Sequence, residues 1–252
     1  MAAIVSVLEL RKGYGDIQAV RGISFDVNER EVFALLGPNG AGKTTTVEIL
    51  EGLRPADGGT AVVAGVDVRR DPAGVKERIG VQLQQSAFPD HYTAREMVDL
   101  FALFYGRRVD ALGLLRAVGL EERAHQMSEK LSGGQLQRLS IAVAMVNDPS
   151  VLFLDEPTTG LDPQARRNLW ELIRSIRERG TTVVLTTHYM DEAEVLCDRV
   201  AIMDAGQIIA LAPPSELISE LLGRGFHKPV VQQQADLEDV FLDLTGHALR
   251  DE

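Results

Sequence analysis

The chain has 252 residues, of which 45% are hydrophobic and 25% charged, the balance of a folded protein with a sizeable core. A formal net charge of -11 argues against general nucleic-acid binding, because an acidic surface repels phosphate backbones. No segment predicts a membrane-spanning helix or a signal peptide. The single cysteine, Cys197, excludes an internal disulfide and fits a reducing compartment.

Short apolar runs alternate with longer amphipathic stretches, which predicts an α/β fold. Strands are predicted at residues 5–10, 23–27, 31–36, 61–63, 151–154 and 183–186, and a hairpin at 200–203 and 207–211. Helices are predicted at residues 44–50, 163–179, 215–222 and 237–244. Apolar residues recur at helical spacing between about 86 and 147, so this segment is expected to be a mostly helical insert.

A glycine-rich turn between a predicted strand and a predicted helix fits the P-loop pattern. Its residues are Gly37, Pro38, Asn39, Gly40, Ala41, Gly42, Lys43 and Thr44. Glycines let the backbone N–H groups close around a phosphate, and the helix that follows adds the positive end of its dipole. Lys43 is expected to reach the β- and γ-phosphates, Thr44 to bind Mg²⁺ and Thr45 to contact the α-phosphate.

Two acids, Asp155 and Glu156, follow the apolar strand at 151–154. A buried strand delivers such acids to the carboxyl edge of a sheet, where α/β proteins bind ligands. Asp155 suits Mg²⁺, directly or through its water. Glu156, expected on the opposite face of the pleat, suits activation of an attacking water. Acids also follow strands as ordinary turn residues, so the prediction that this pair is functional depends on the presence of the P-loop.

A second anion-binding element is predicted at Leu131, Ser132, Gly133, Gly134 and Gln135, which precede a helix. It combines a hydroxyl, accessible backbone N–H groups and a helix dipole. These residues also fit a simple helix N-cap with a flexible glycine pair. One ATP does not need two such elements from a single chain, whereas two chains arranged head to tail would each supply one of them.

Along nearly its whole length the sequence resembles the nucleotide-binding domains of ABC transporters, whose signature is the pattern at 131–135. The resemblance implies a P-loop NTPase core with a mixed sheet, an N-terminal antiparallel β subdomain and a helical subdomain carrying the signature. It also implies that Tyr14 stacks on adenine, Asp162 contacts the partner chain and His188 contacts the γ-phosphate. Gln82, Gln84 and Gln85 compete for the Q-loop role, and the family pattern selects Gln84 as a catalytic and Mg²⁺-binding residue.

Two further segments, Thr93 to Glu96 and the tail at 237–246, resemble bacterial exporters of drugs, polyketides and lipids. The loop between Leu222 and Leu237 is shorter than the extension that many such subunits carry. We predict an ATP-binding domain at residues 1–222, with its helical subdomain at about 86–147, and a C-terminal loop and helix at 223–252.

The resemblance implies ATP and Mg²⁺ as ligands and a second ATP-binding subunit, expected as a homodimer, as a partner. Separate membrane-spanning permease subunits are also implied, with the chain peripheral at the cytoplasmic face of the membrane and no nucleic acid bound. The leading hypothesis is the ATPase subunit of an exporter. An importer subunit would carry the same core motifs. A non-transport ABC protein is disfavoured by the single P-loop, the unsplit cassette and the acidic balance.

Overall fold

The computed structural model describes residues 3–82 and 88–226, which form two β-sheets with helices between their strands. The strands are β1 (Ala3–Tyr14), β2 (Ile17–Asn28), β3 (Val32–Leu36), β4 (Gly58–Val63), β5 (Val66–Asp67), β6 (Ile79–Gln82), β7 (Val151–Asp155), β8 (Thr182–Thr187), β9 (Arg199–Asp204) and β10 (Gln207–Ala212). The α-helices are α1 (Lys43–Leu50), α2 (Pro72–Lys76), α3 (Ala94–Phe104), α4 (Ala111–Ala117), α5 (Gly133–Ala144), α6 (Pro163–Glu178), α7 (Met190–Leu196) and α8 (Pro214–Gly223).

One sheet is antiparallel and the other is mixed. The antiparallel sheet has the strand order β2-β1-β4-β5. The six-stranded sheet has the order β10-β9-β3-β8-β7-β6, in which only the β10–β9 pair is antiparallel. This arrangement confirms the predicted fold class, including the N-terminal antiparallel sheet and the mixed core sheet.

The central strands of the mixed sheet are buried on both faces. Every residue of β3, β7 and β8 is buried, which explains why these strands read as continuous apolar runs rather than as alternating patterns. The Phe25 ring of β2 stacks on the Phe33 ring of β3 with centroids 5.4 Å apart. The two sheets therefore share one hydrophobic core, which fixes the ends of the central strands.

Helices fill the stretch between β6 and β7 where the sequence predicted a helical insert. These are α3, α4 and α5, with two short 3-10 turns between the last two. The Thr93–Glu96 segment is a capping box at the start of α3, in which the Thr93 hydroxyl accepts from the Glu96 N–H and the Glu96 carboxylate accepts from the Thr93 N–H. The exporter-like segment thus has a local folding role as well.

The sequence analysis did not predict β5, α2, β6 or α7. The first two are only two and five residues long, and β6 is a four-residue strand that the analysis treated as loop. Such short elements carry too few residues to show a hydrophobic period. Their positions come from pairing and packing, as when β6 adds to the edge of the sheet parallel to β7.

The predicted domain boundaries stay predictions. The first compact unit of the structure extends to Glu216, so that α8 begins in it and ends in the second unit. The predicted helix at 237–244 and the tail segment at 237–246 lie outside the described residues. Within residues 3–82 and 88–226, no helix is long and apolar enough to cross a bilayer.

Candidate active site

Neighbouring strands of the mixed sheet bring the predicted site residues to one edge. The P-loop follows β3, His188 follows β8, and Glu156 follows β7. Because β8 lies between β3 and β7 and all three are parallel, their carboxyl ends meet. Residues far apart in the sequence therefore form one cluster.

At two positions of the P-loop the neighbouring backbone leaves no space for a side chain, so glycine is required. A Cβ on Gly37 would lie 2.2 Å from the Met203 carbonyl oxygen, and one on Gly42 would lie 2.3 Å from that of Ala19. Gly42 also has a φ of 99° and caps α1, which begins at Lys43, one residue before the predicted start at Thr44. Any side chain at either glycine would push the loop away from the backbone behind it.

Lys43 is buried in the cluster and points back over its own loop. Its ammonium donates hydrogen bonds to the carbonyl oxygens of Gly37 at 2.8 Å and Pro38 at 3.0 Å, and lies 4.0 Å from Glu156 Oε1. Burial lowers the pKa of Lys43, and the negative charges of Glu156 and Asp155 oppose this shift. A cation held by two carbonyl dipoles can exchange them for phosphate oxygens at little cost in reorganisation.

Asp155 faces the helix that the P-loop opens. The Thr44 hydroxyl donates to Asp155 Oδ1 at 3.4 Å, and the Thr186 hydroxyl donates to the same oxygen. Burial raises the pKa of Asp155, and the Glu156 charge adds to the rise, whereas the hydroxyl bonds oppose it. Thr44 and Asp155, the two predicted Mg²⁺ ligands in the described chain, are thus adjacent.

Glu156 departs from the expected continuation of the pleat. β7 ends at Asp155, and Glu156 has a φ of 46°, in the left-handed region that non-glycine residues rarely adopt. Its N–H donates to the Thr186 hydroxyl at 3.0 Å, which holds this strained turn. The carboxylate therefore turns towards neighbouring loops: Oε1 lies 3.1 Å from His188 Nδ1, and the Thr159 hydroxyl donates to Oε2 at 3.2 Å.

The signature residues form the open end of a helix. Ser132 is the N-cap of α5 in a capping box with Gln135: the Ser132 N–H donates to Gln135 Oε1 at 2.9 Å, and the Gln135 N–H donates to the Ser132 hydroxyl at 3.4 Å. Ser132 and Gly133 are exposed, and a Cβ on Gly133 would meet nothing within 4 Å. Ser132 can therefore cap the helix and still form part of an anion site, since the first backbone N–H groups of α5 face open space.

One of the three competing glutamines is placed by the structure. Gln82, at the end of β6, is buried, and its amide donates to Gln137 Oε1 at 3.4 Å. Gln137 in turn donates to the Pro157 carbonyl oxygen at 2.9 Å and so links α5 to the loop after Glu156. Gln84 and Gln85 lie outside the described residues, so the assignment of Gln84 stays a prediction.

Tyr14 is the last residue of β1, and the segment after α1 holds this end of the strand in place. Asp57 accepts from the Lys12 ammonium at 2.7 Å and from the Gly13 N–H at 2.8 Å. The Arg54 guanidinium lies 5.3 Å from the centroid of the Tyr14 ring, which is 40% exposed. The sequence analysis missed Arg54 and Asp57, whose partners become neighbours only when β1 and the segment after α1 are brought together.

Asp162 occupies the N-cap of α6. Its carboxylate accepts a hydrogen bond from the Ala165 N–H at 2.8 Å, with Pro163 at the first helical position. Asp162 is exposed. This position is compatible with the predicted contact to a partner chain, which stays a prediction.

The donor set fits magnesium that is shared with a phosphate. Thr44 and Asp155 supply a hydroxyl and a carboxylate oxygen, both hard ligands that Mg²⁺ prefers. In the described part of the chain no group of three or more histidines, cysteines and acids could hold a metal by itself. Thr44 and Asp155 are the described residues that would hold such a cation.

A second buried acid, Glu51, lies at the far end of α1 from Lys43. Burial raises the pKa of Glu51 to about 8, and the charges of Asp155 and Glu48 add to the rise. The ordinary value is 4.5, so the folded state holds a proton that the unfolded chain loses between these two values. The stability contributed by this proton is complete below the unfolded pKa and is lost as the pH rises through the folded pKa.

The Glu51→Gln variant should be more stable than the unaltered chain at about pH 8.5, by on the order of 4 kcal/mol, and should differ from it by less than about 1 kcal/mol at about pH 5. The neutral amide keeps the shape and needs no proton. Urea unfolding without nucleotide measures both values. Glu171→Gln, the same change at an exposed position of α6, is the matched control and should show no such pH dependence. Equal effects of Glu51→Gln at the two pH values would contradict the prediction.

The model of the family described as ABC transporter matches residues 20–159. The match begins in β2 and ends after Glu156, and it includes the P-loop and the signature.

Two curated relatives illustrate the similarity in sequence. The Nod factor export ATP-binding protein I of Ralstonia nicotianae is 43% identical over 225 residues, covering 87% of this chain and 70% of that protein. The linearmycin resistance ATP-binding protein LnrL of Bacillus subtilis is 41% identical over 219 residues, covering 85% of this chain and 70% of that protein.

Solved structures with the same fold include cbiO1 from Clostridium perfringens, part of the ABC transporter complex cbiONQ. It has a TM-score of 0.79 and 30% identity, covering 87% of this chain and 92% of that one. Another is a dimeric ATP-binding cassette in a post-hydrolysis state bound to ADP and Pi. It has a TM-score of 0.74 and 27% identity, covering 83% of this chain and 98% of that one.

Proposed function

The chain belongs to the ABC transporter family as an ATP-binding, ATP-hydrolysing subunit, and from this premise we propose that it powers export of a small or lipid-like molecule. The main support for export is the similarity, over 87% of this chain, to a relative named as an export ATP-binding protein. The linearmycin resistance relative supports the same direction of transport. The exporter-like Thr93–Glu96 segment is consistent with it.

The proposed hydrolytic site is the cluster at the carboxyl edge of the mixed sheet. Lys43 neutralises the β- and γ-phosphates, and Thr45 contacts the α-phosphate from the same loop. Glu156 holds and activates the attacking water, since its carboxylate is fixed by His188 and Thr159. The backbone N–H groups of the glycine-rich turn at 37–42 surround the phosphates. The Tyr14 ring stacks on adenine.

Mg²⁺ is proposed to bind through Thr44 and Asp155, with Gln84 as a further ligand, and to supply charge neutralisation on the phosphates. The fit rests on the Thr44–Asp155 contact described above. The protein contributes by keeping this hydroxyl and this carboxylate aligned through Thr186, and by excluding bulk water from the buried carboxylates. Positioning and charge account for most of the catalysis in phosphoryl transfer.

We propose that two copies of the chain pair around ATP, with Leu131 to Gln135 of one copy facing the P-loop of the other. The exposed start of α5 supports this, because its first backbone N–H groups and the Ser132 hydroxyl can donate hydrogen bonds to a γ-phosphate. Asp162, exposed at the start of α6, is proposed to contact the partner. A similar cassette is described as dimeric, which supports pairing of two copies.

We propose that separate permease subunits dock beside the C-terminal end of α3, with the chain at the cytoplasmic face of the membrane. Leu103 and Phe104 are 74% and 72% exposed, and Tyr105 lies next to them. Phe104 contacts Phe101 edge to face at 5.6 Å, so these side chains form a continuous aromatic patch. Exposed apolar patches mark protein–protein contacts more often than isolated apolar residues do.

Export is tested by co-expressing the chain in a sensitive host with membrane subunits encoded beside its gene. The inhibitory concentration of at least one compound in a panel of lipophilic antibiotics should rise by about fourfold or more, because ATP hydrolysis drives efflux. The Ser132→Arg variant should give no protection. Ser150→Arg, altered at the opposite end of β7 from Asp155, is the matched control and should protect fully. A chain required instead for uptake of a nutrient would overturn the proposal.

A further inference from the structure

A buried acid lies beside the histidine segment and has no part in the mechanism above. Glu192 of α7 is fully buried, four residues after His188. Its Oε1 accepts a hydrogen bond from the Trp170 indole N–H at 3.1 Å. A buried carboxyl is costly unless other groups compensate it, so its surroundings indicate what it holds together.

Glu192 lies where three separate segments meet. Burial raises its pKa, and the nearby hydroxyls of Thr187 and Thr158, the Trp170 N–H and the Arg166 charge oppose the rise. Thr187 ends β8 directly before His188, and Thr158 lies in the loop directly after Glu156 and Pro157. Arg166 and Trp170 belong to α6. One carboxyl group thus joins the histidine segment, the glutamate loop and α6.

α6 holds the histidine segment by a single face. Its cap Asp162, then Arg166 and Trp170, recur at intervals of four residues and so lie on one side of the helix. The Arg166 guanidinium lies 4.6 Å from the centroid of the Tyr189 ring and donates to Asp191 Oδ2 at 3.2 Å. Tyr189 caps α7 without a side-chain hydrogen bond, so the direction of this segment depends on these contacts.

Three complementary atoms of this group make no hydrogen bond of ordinary geometry in the described part of the chain, although the Arg166 charge and the Thr158 hydroxyl act on the Glu192 carboxyl. They are Glu192 Oε2, Arg166 Nε and Thr158 Oγ1, all buried. One is an acceptor, one a charged donor and one can act as either, so a small shift would pair them. Unpaired buried polar atoms are rare in folded proteins and concentrate where a structure serves function at the expense of stability.

We propose that Glu192 is a positioning residue for ATP hydrolysis, which holds the His188 segment against α6 and the loop after Glu156. The inference rests on the proposed function of His188 and Glu156. Tyr189 stacks against His188, with ring centroids 4.1 Å apart, so the tethers on Tyr189, Asp191 and Glu192 orient the imidazole. The 3.1 Å contact from His188 Nδ1 to Glu156 Oε1 depends on that orientation.

The Glu192→Gln variant keeps the size of the side chain and an acceptor for Trp170 but replaces the second carboxyl oxygen with an amide NH₂ group. It should lower kcat by about tenfold while leaving the Kd for Mg-ATP within about twofold, because displacing a reacting group costs rate rather than binding. The thermal midpoint should stay within a few degrees. Glu194→Gln, the same change at an exposed position of α7, is the matched control and should leave kcat unchanged.

A double-mutant cycle with His188→Ala tests whether Glu192 acts through the histidine. In the His188→Ala background, Glu192→Gln should lower kcat by less than about twofold, because the group that it positions is already gone. An unchanged kcat in the single variant would overturn the inference. So would a full tenfold loss in the His188→Ala background, since Glu192 would then act independently of His188.

Two α6 variants keep the test open if Glu192→Gln does not fold. Trp170→Phe removes the indole N–H together with part of the ring, Arg166→Gln removes the guanidinium group and its charge, and each should lower kcat by about threefold without altering ATP affinity. Unchanged kcat in both would count against the inference. Loss of ATP binding or hydrolysis by the unaltered chain would instead count against the proposed function, so the two failures are distinguishable.

Discussion

ATP hydrolysis by the Glu156→Gln variant is expected to fall by on the order of 100- to 1000-fold, while ATP still binds. The amide keeps the size of the side chain but cannot take a proton from water. Lys43, His188 and Thr159, which contact the carboxylate in the unaltered chain, remain in place around the amide. A phosphate-release assay at saturating ATP measures the loss, and fluorescence titration measures the affinity. Glu178→Gln, an exposed change on α6, is the control and should hydrolyse ATP normally.

The same variant should accumulate as a closed pair, because hydrolysis no longer separates the two copies. Gel filtration should show a monomer without nucleotide and a dimer with ATP. Adding Ser132→Arg should abolish this dimer, since a bulky side chain at the start of α5 would block the partner's γ-phosphate, while ATP binding to the P-loop survives. Full hydrolysis by the Ser132→Arg single variant would show that the signature takes no part in the site.

Removal of the P-loop ammonium is expected to have a comparably large effect on binding. Lys43→Ala should raise the Kd for Mg-ATP by about 30- to 100-fold, the value of two to three kcal/mol for a charge-assisted hydrogen bond. Lys43 is also the cation that the structure places 4.0 Å from Glu156, so hydrolysis should fall with binding. Isothermal titration calorimetry gives the affinity directly.

Lys76→Ala is the matched control for this experiment. Lys76 is exposed in the last turn of α2, and its loss should leave the affinity for Mg-ATP unchanged. A thermal melt of both variants separates a binding effect from unfolding. Unaltered affinity in a folded Lys43→Ala variant would contradict the proposed phosphate site.

Contiguous motifs were predictable because their chemistry is local. The turn at 37–44 has its strand before it and its helix after it in the sequence, and the structure places α1 at Lys43–Leu50. The acids after β7 were likewise found, because an apolar run followed by polar residues marks a strand end, whereas the family resemblance selected the histidine after β8. These patterns predicted the fold class and the family correctly, while the roles of the individual residues stay predictions.

Residues whose partners come from distant segments were missed. Gln137 looked like one more residue of the signature helix, yet it donates to the Pro157 carbonyl oxygen, 20 residues away. Asp57 holds the Gly13 N–H across 44 residues, and Glu192 pairs with Trp170 across 22. The sequence did not predict α7 either, because its seven residues are too few to show a hydrophobic period.

The sequence by itself therefore determined which chemical groups are present and which strand or helix end carries each of them. Tertiary structure decided which of these groups meet. The order β3-β8-β7 brings the ends of these three strands together, and the Glu156 carboxylate, which follows a left-handed turn, lies near both Lys43 and His188. The physical reason is that motifs and propensities act over a few neighbouring residues, whereas strand pairing and core packing join segments more than a hundred residues apart.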